Sequence, residues 1–150
     1  MKQVESIIFR KNNNSFEFLL LKRIPKKGGF WQAVTGMVER EDDSLIIAAL
    51  REAKEEAGLE KKDIIRIIEN VHTYEFENEK DHQPVREYVF GIEVSTNFEF
   101  TLDKNIYIEH DELKWVSFEE ALDLLKWEEN KTAFRKLNNL LKGFEDNERN

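Results

Sequence analysis

Residues 50–59 read LREAKEEAGL. The stretch is made of good helix formers, and helical geometry sets Glu52, Glu55 and Glu56 on one face. Like charges at that spacing cost about 0.2–0.5 kcal/mol per pair. Ser44 is a natural N-cap and Gly58 a natural stop, so a helix over residues 45–57 is expected despite that repulsion.

Working outward, residues 39–43 read EREDD. From Glu39 to Glu56 the acids are Glu39, Glu41, Asp42, Asp43, Glu52, Glu55 and Glu56, against Arg40, Arg51 and Lys54. A solvated helix face after an acidic loop is the plain account, and Arg51, four residues before Glu55, offsets part of the charge. Three features weigh against it. Ala48, Ala49, Ala53 and Ala57 let the helix approach a neighbour closely. Gly36 and Gly58 bracket the segment where a positive φ or a tight approach is expected. The loop can also fold back and bring Glu39 towards the helix. Oxygen-only donors of this kind suit Mg²⁺ or Mn²⁺, hard cations that take a few carboxylates and fill their remaining positions with water or substrate phosphate.

The chain has 150 residues, 40% of them hydrophobic, enough for one domain with a core. A net charge of −8 argues against a general grip on nucleic acid or on an anionic membrane. It still allows a phosphate-bearing small molecule, because a bound divalent cation reverses the local field. Cysteine is absent, which excludes disulfides and thiolate metal sites and fits a cytoplasmic location. No apolar run approaches the roughly 20 residues of a membrane span, and no signal peptide is visible.

Residues 4–9 and 16–21 are apolar runs joined by NNNS, a hairpin pattern. Pro25 and Gly28–Gly29 mark a loop, and residues 31–34 read as a short strand ending at Gly36. Residues 64–68 and 71–76 read as strand with a break near Asn70, and 85–94 as a long strand. Ser117 with Glu120 forms a capping box before a helix over 121–125. A last helix is expected from about Glu128 to Lys142, stopping at Gly143. The domain is then 1–143, with residues 144–150 as a polar tail. Irregular alternation of strands and helices favours a mixed sheet carrying helices.

These residues carry a family resemblance. Gly36 to Glu39, followed by REAKEEAGL at 51–59, resembles the Nudix box G-x5-E-x7-R-E-U-x-E-E-x-G-U, with Ala53 smaller than the usual bulky apolar residue. Residues 21–23 (LKR), 30–36 (FWQAVTG), Glu109-His110 and 114–116 (KWV) look like the bacterial dihydroneopterin triphosphate or dATP pyrophosphohydrolases of that superfamily. The pattern departs in the loop. Eight residues before Arg51 stands Asp43 where the box has Glu, Asp42 replaces the preceding glycine, and Gly36 is one residue too distant.

The resemblance implies an α/β fold, an α/β/α sandwich around a mixed sheet with the box as a loop–helix unit. It implies Mg²⁺-dependent (or Mn²⁺-dependent) hydrolysis of a nucleoside triphosphate or nucleotide-like triphosphate, dNTP or dihydroneopterin triphosphate, to monophosphate and pyrophosphate. The alternatives are dinucleoside polyphosphates, nucleotide sugars, or an inactive nucleotide-binding sensor. By resemblance Glu52, Glu56, Glu55 and Glu109 are the metal ligands. Glu55, Glu109 and Arg51 are assigned to catalysis, and Arg23 and Thr35 to substrate. His110 reads as a structural hydrogen-bonder, and His72 and His82 as structural or exposed. Trp31, Trp115 and Trp127 read as core, while Phe30 or Tyr74 is available to stack on a ring. The partner is a small nucleotide-like molecule rather than a polymer or a membrane. A homodimer is the common default for a soluble oligomer, and no residue here demands it.

Overall fold

Alternation along the first strand sets the architecture. The computed structural model describes residues 1–101 and 109–149. Strand β1 (Lys2–Asn12) places Ile7 and Phe9 on one face, against Ala121 of helix α2 (Phe118–Leu124) and Phe134 and Leu137 of α3 (Glu128–Arg149). Ile8 faces the other way, onto Ala53 and Ala57 of helix α1 (Leu45–Ala57). Val4 joins it there, against Ala48 and Ala49. The small alanines are what let α1 lie close to the sheet. The result is an α/β/α sandwich with its core in two layers.

The other strands are β2 (Ser15–Arg23), β3 (Trp31–Gln32), β4 (Val34–Met37), β5 (Ile64–Glu77), β6 (Pro84–Val94) and β7 (His110–Val116). The seven-stranded sheet runs β3-β2-β1-β6-β5, with β4 on β1 and β7 on β2. The β1–β6 pair is parallel and the others antiparallel, so the sheet is mixed. One edge of β1 forks. Residues 3–6 pair with β4 and residues 9–12 pair with β2. The single strand expected over 31–34 is split by this fork. Trp31 and Gln32 pair with β2, and from Val34 the chain pairs with β1 instead.

The expected hairpin forms between β1 and β2, with Asn13 at φ 58°, a conformation asparagine tolerates. Helix α1 starts on Ser44, whose side chain accepts from the Ile47 N–H, and ends on Gly58 at φ 73°. The break near Asn70 is a β-bulge: Asn70 has φ 57° and the β5–β6 register shifts between Ile68 and His72. A second expectation fails at the end of the chain. α3 does not stop at Gly143 but runs to Arg149, because Phe144 packs on the core and lies under the Arg66 guanidinium at 5.2 Å. A lone glycine costs a helix about 1 kcal/mol, and burial of an aromatic outweighs it. Among the described residues no helix is long and apolar enough to cross a membrane.

Candidate active site

Arg51 organises the loop ahead of α1. Its Nε and Nη2 donate to the two carboxylate oxygens of Asp42 at 3.0 and 2.9 Å, and Nη2 also donates to the Met37 carbonyl at 3.0 Å. Nη1 donates to Glu52 at 2.9 Å and to Glu55 at 3.3 Å, with Glu39 at 3.5 Å. The loop thus does fold back to the helix, with Arg51 as the link. Hydrogen bonds from Arg51 and from the Glu39 N–H hold the Asp42 carboxyl below its usual range.

This geometry corrects the reading of the loop. The acid gripped by Arg51 is Asp42, six residues after Gly36, and not Asp43. Asp42 closes a tight turn: its N–H donates to the Glu39 carbonyl at 3.1 Å and its carboxylate accepts from the Glu39 N–H at 2.8 Å. Asp43 is exposed, just before the N-cap. The extra residue therefore lies after this acid rather than before it. A bidentate ion pair on a part-buried guanidinium is worth more than a surface pair. Asp42→Ala is expected to lower stability by about 1–3 kcal/mol, read as a drop in melting temperature. Arg51→Lys should reproduce much of that drop, because an ammonium cannot replace the fork.

The helix acids part company. Glu56 is only 7% exposed and accepts a hydrogen bond from the Thr35 backbone N–H. Burial, then the charges of Glu52 and Glu109, push its carboxyl up to about 9, against the pull of Arg23 and of that hydrogen bond. Glu52 is half-buried and raised by burial, with Arg51 pulling it down. Its carboxylate occupies the space where Gly36 lacks a side chain, since a Cβ there would collide with it. Glu55 instead leans outward on Arg51, its side chain 56% exposed. Glu109 is tied to the end of β2, where the Ile24 N–H donates to its carbonyl at 3.0 Å, and its carboxylate pairs with Lys27 at 3.3 Å.

Among the described residues, no three His, Cys, Asp or Glu side chains stand close enough together to hold a cation as they are. The chemistry of the donors nonetheless suits one. Two carboxylates, Glu52 and Glu56, are held under the sheet edge in mutual repulsion, with Glu109 acting on the same spot. Magnesium needs only one or two protein carboxylates when substrate phosphate completes the shell.

Arg23 and Thr35 join these acids to a cleft of about 740 Å³ on the α3 side of the sheet. That volume is in the range of small-molecule sites. The Arg23 Nε donates to the Lys27 carbonyl at 3.2 Å, and its guanidinium lies 5.7 Å from the Phe30 ring. Phe30 meets Trp127 edge-to-face at 4.5 Å, and both line the cleft. Trp127 is 43% exposed, so it is not a core residue; it stands in the short turn between α2 and α3, at the cleft rim. Trp31 and Trp115 are packed against the core clusters as expected. His110 is buried, with Nε2 2.9 Å from the Gln32 amide; burial and the Arg23 charge bring it down to about 4, so it is neutral near pH 7. His72 and His82 lie near Glu129 and Glu77, away from the helix acids.

Sequence reasoning missed Asp42, Trp127 as a rim residue, and two buried acids of the cleft, Glu5 and Glu87. A signal for the last two existed. Each is an acid whose neighbours two positions away, Ile7 for Glu5 and Val85 and Val89 for Glu87, are core.

Comparison with known proteins bears on the family and the fold. A NUDIX domain family model matches residues 1–137. A Listeria monocytogenes structure described as a NUDIX hydrolase is 31% identical, covers 95% of each chain and superposes with a TM-score of 0.78. A C. elegans Ap4A hydrolase binary complex is 27% identical, covering 95% of this chain and 98% of its own, with a TM-score of 0.81. The E. coli dihydroneopterin triphosphate pyrophosphohydrolase, at 23% identity, 91% and 94% coverage and a TM-score of 0.73, shares the fold. A curated relative, an octanoyltransferase from Myxococcus xanthus, is 30% identical over 85% of this chain, and the chain spans 34% of that relative's length. By the extent of the model match and by its fold, the chain belongs to the NUDIX domain family.

Proposed function

We propose that the chain is a divalent-metal-dependent pyrophosphohydrolase, Mg²⁺ being the natural ion, that cleaves a nucleotide-like triphosphate to a monophosphate and pyrophosphate. The observation that carries this reading is the buried Glu56 beside Glu52, opening through Arg23 and Thr35 onto a cleft large enough for a nucleotide. Glu52 and Glu56 would hold the metal, with Glu109 and Glu55 completing the acidic set. When bound, that metal would draw charge from the phosphate oxygens and acidify a bound water.

The rest is work for the chain's own residues, and phosphoryl transfer asks mainly for positioning and charge neutralisation. Arg23 would grip a phosphate with two N–H groups. Thr35, which lines the same cleft, would offer its hydroxyl to that group. Glu109 and Glu55 are the carboxylates exposed enough to take a proton from the attacking water, and Arg51 positions Glu52 and Glu55. Phe30 and Trp127 form an aromatic rim for a ring.

A second reading, hydrolysis of a dinucleoside polyphosphate, is favoured by the likeness to the Ap4A hydrolase. Purified protein is to be given (deoxy)nucleoside triphosphates, dihydroneopterin triphosphate and dinucleoside polyphosphates, with Mg²⁺ and with EDTA. Pyrophosphate from a triphosphate, seen by phosphorus NMR only with metal, is the expected result. Exclusive cleavage of dinucleoside polyphosphates would replace the first reading with the second, and no turnover of any substrate would end both.

A further inference from the structure

His110 is a poor core residue by the measure of its bonds. It is 4% exposed, yet Nδ1 has no hydrogen-bond partner and Nε2 has one, the Gln32 amide nitrogen at 2.9 Å. Buried polar groups are nearly always satisfied, and a leucine here would bury a similar volume without an orphaned nitrogen. The backbone is irregular at the same place. Strands β2 and β7 keep one register from Phe18 to Lys22 and then shift, so that Arg23 pairs with His110. A bulge of this kind re-aims a side chain, and such bulges gather at functional sites.

What the imidazole secures is Gln32. That residue belongs to the two-residue strand β3, pairs with Leu21 and is part-buried. It lines the cleft together with Arg23 and Phe30. An amide nitrogen only donates, so the ring Nε2 accepts and the ring proton rests on Nδ1. With one N–H spent on the ring, the amide plane is held, and its carbonyl oxygen and second N–H are left for the cleft. Phosphate oxygens are acceptors, so a carbonyl oxygen repels them and suits the donor-bearing organic half of a substrate.

We propose that Gln32 touches the substrate as a specificity residue, its carbonyl accepting from a hydroxyl or N–H donor on the sugar or ring, and that His110 is the positioning residue that fixes its amide. In the reading above, Arg23 grips phosphate and the Phe30–Trp127 pair offers an apolar face to a ring. Neither distinguishes one pattern of hydrogen-bond donors from another, and Gln32 supplies that discrimination.

The inference rests on the reading of the cleft as a nucleotide-like substrate site, and its test measures binding rather than turnover. Calorimetry with the whole chain and Mg²⁺ would compare AMP, GMP, CMP and UMP, their 2′-deoxy counterparts, and inorganic phosphate. Gln32→Leu and His110→Leu should each weaken the tightest nucleotide at least about fivefold, as loss of one hydrogen bond predicts, and leave inorganic phosphate within about twofold. His110→Gln, whose side-chain carbonyl can accept the same bond, should restore the affinity, and His110→Leu should melt no lower than wild type. The Gln32→Leu/His110→Leu double variant should bind no more weakly than Gln32→Leu alone, since both remove one interaction. If the donor is the sugar hydroxyl, the preference for ribose over deoxyribose disappears in Gln32→Leu; if it is a ring N–H, the spread among the four bases narrows. No nucleotide binding by wild type, an unchanged Gln32→Leu, equal losses for nucleotide and inorganic phosphate, or additive losses in the double variant would overturn the assignment. An unchanged Gln32→Leu alongside metal-dependent turnover would leave the pyrophosphohydrolase reading in place. If the nucleotides respond as expected but no triphosphate is hydrolysed, the Gln32 assignment stands and that reading falls.

Discussion

Glu56→Gln is expected to lower kcat by about 10³-fold, roughly 4 kcal/mol of barrier, while making the metal-free protein more stable at neutral and alkaline pH. Both effects follow from one side chain. Glu56 is buried, faces the charges of Glu52 and Glu109, and holds its proton up to about pH 9. In the unfolded chain it releases that proton near its ordinary value of 4.5. Between those values the folded state binds more protons than the unfolded state. Stability from this group is therefore full below about pH 4.5 and is lost as pH climbs towards 9. Glutamine does not titrate and removes that slope. The expected signature is a melting-temperature difference, variant minus wild type in EDTA, that widens from pH 5.5 to pH 8.5. Burial also raises Glu5 and Glu87, but they are common to both proteins and cancel in the difference.

The same proton predicts how cation binding behaves. A carboxyl must lose its proton to hold a metal, so Mg²⁺ affinity should rise with pH and binding should release protons. Calorimetric titrations in two buffers of different ionisation enthalpy would read that release directly. If wild type and Glu56→Gln melted in parallel across pH and hydrolysed substrate equally, Glu56 would be a packing residue and the proposed activity would lose its main support.

Much of this was legible in the chain because local chemistry and long-range packing agree. Ser44 and Gly58 bound α1 at the residues expected, and the period-2 pattern of β1 identifies the two faces of the sandwich. Legibility ended where a residue's role depends on a partner far along the chain. Counting along the box gave Asp43, whereas the turn that returns Asp42 to Arg51 depends on a hydrogen bond to Glu39 that spacing does not reveal. Gly143 carried a stop signal that Phe144 overrides by packing on the core. Trp127 looked like core by residue type, yet its place in the α2–α3 turn makes it cleft rim. Glu5 becomes intelligible only when Asn130, 125 residues later, is seen to meet it.

Gly36→Ala is the sharper test of how the acidic site is assembled, because it should separate function from fold. Gly36 is absent from the positive-φ residues, so alanine meets no backbone objection. What it meets is the Glu52 carboxylate, which fills the space a methyl group would take. That carboxylate is the far end of a flexible side chain, and it can swing away with little effect on the core. The sheet pairing of Gly36 with Val4 and the alanine contacts of α1 would remain. The melting temperature is therefore expected to stay near that of wild type, a change below about 1 kcal/mol, as for a substitution that leaves the core intact. Activity and Mg²⁺ affinity are expected to fall about 10²-fold, the usual cost of disturbing the groups that seat a ligating side chain. Glu52→Ala alone should lose a comparable amount. The double variant should then be little worse than either single one, since both remove the same carboxylate from the same place. Additive losses in the double variant would show that Gly36 acts through something other than Glu52.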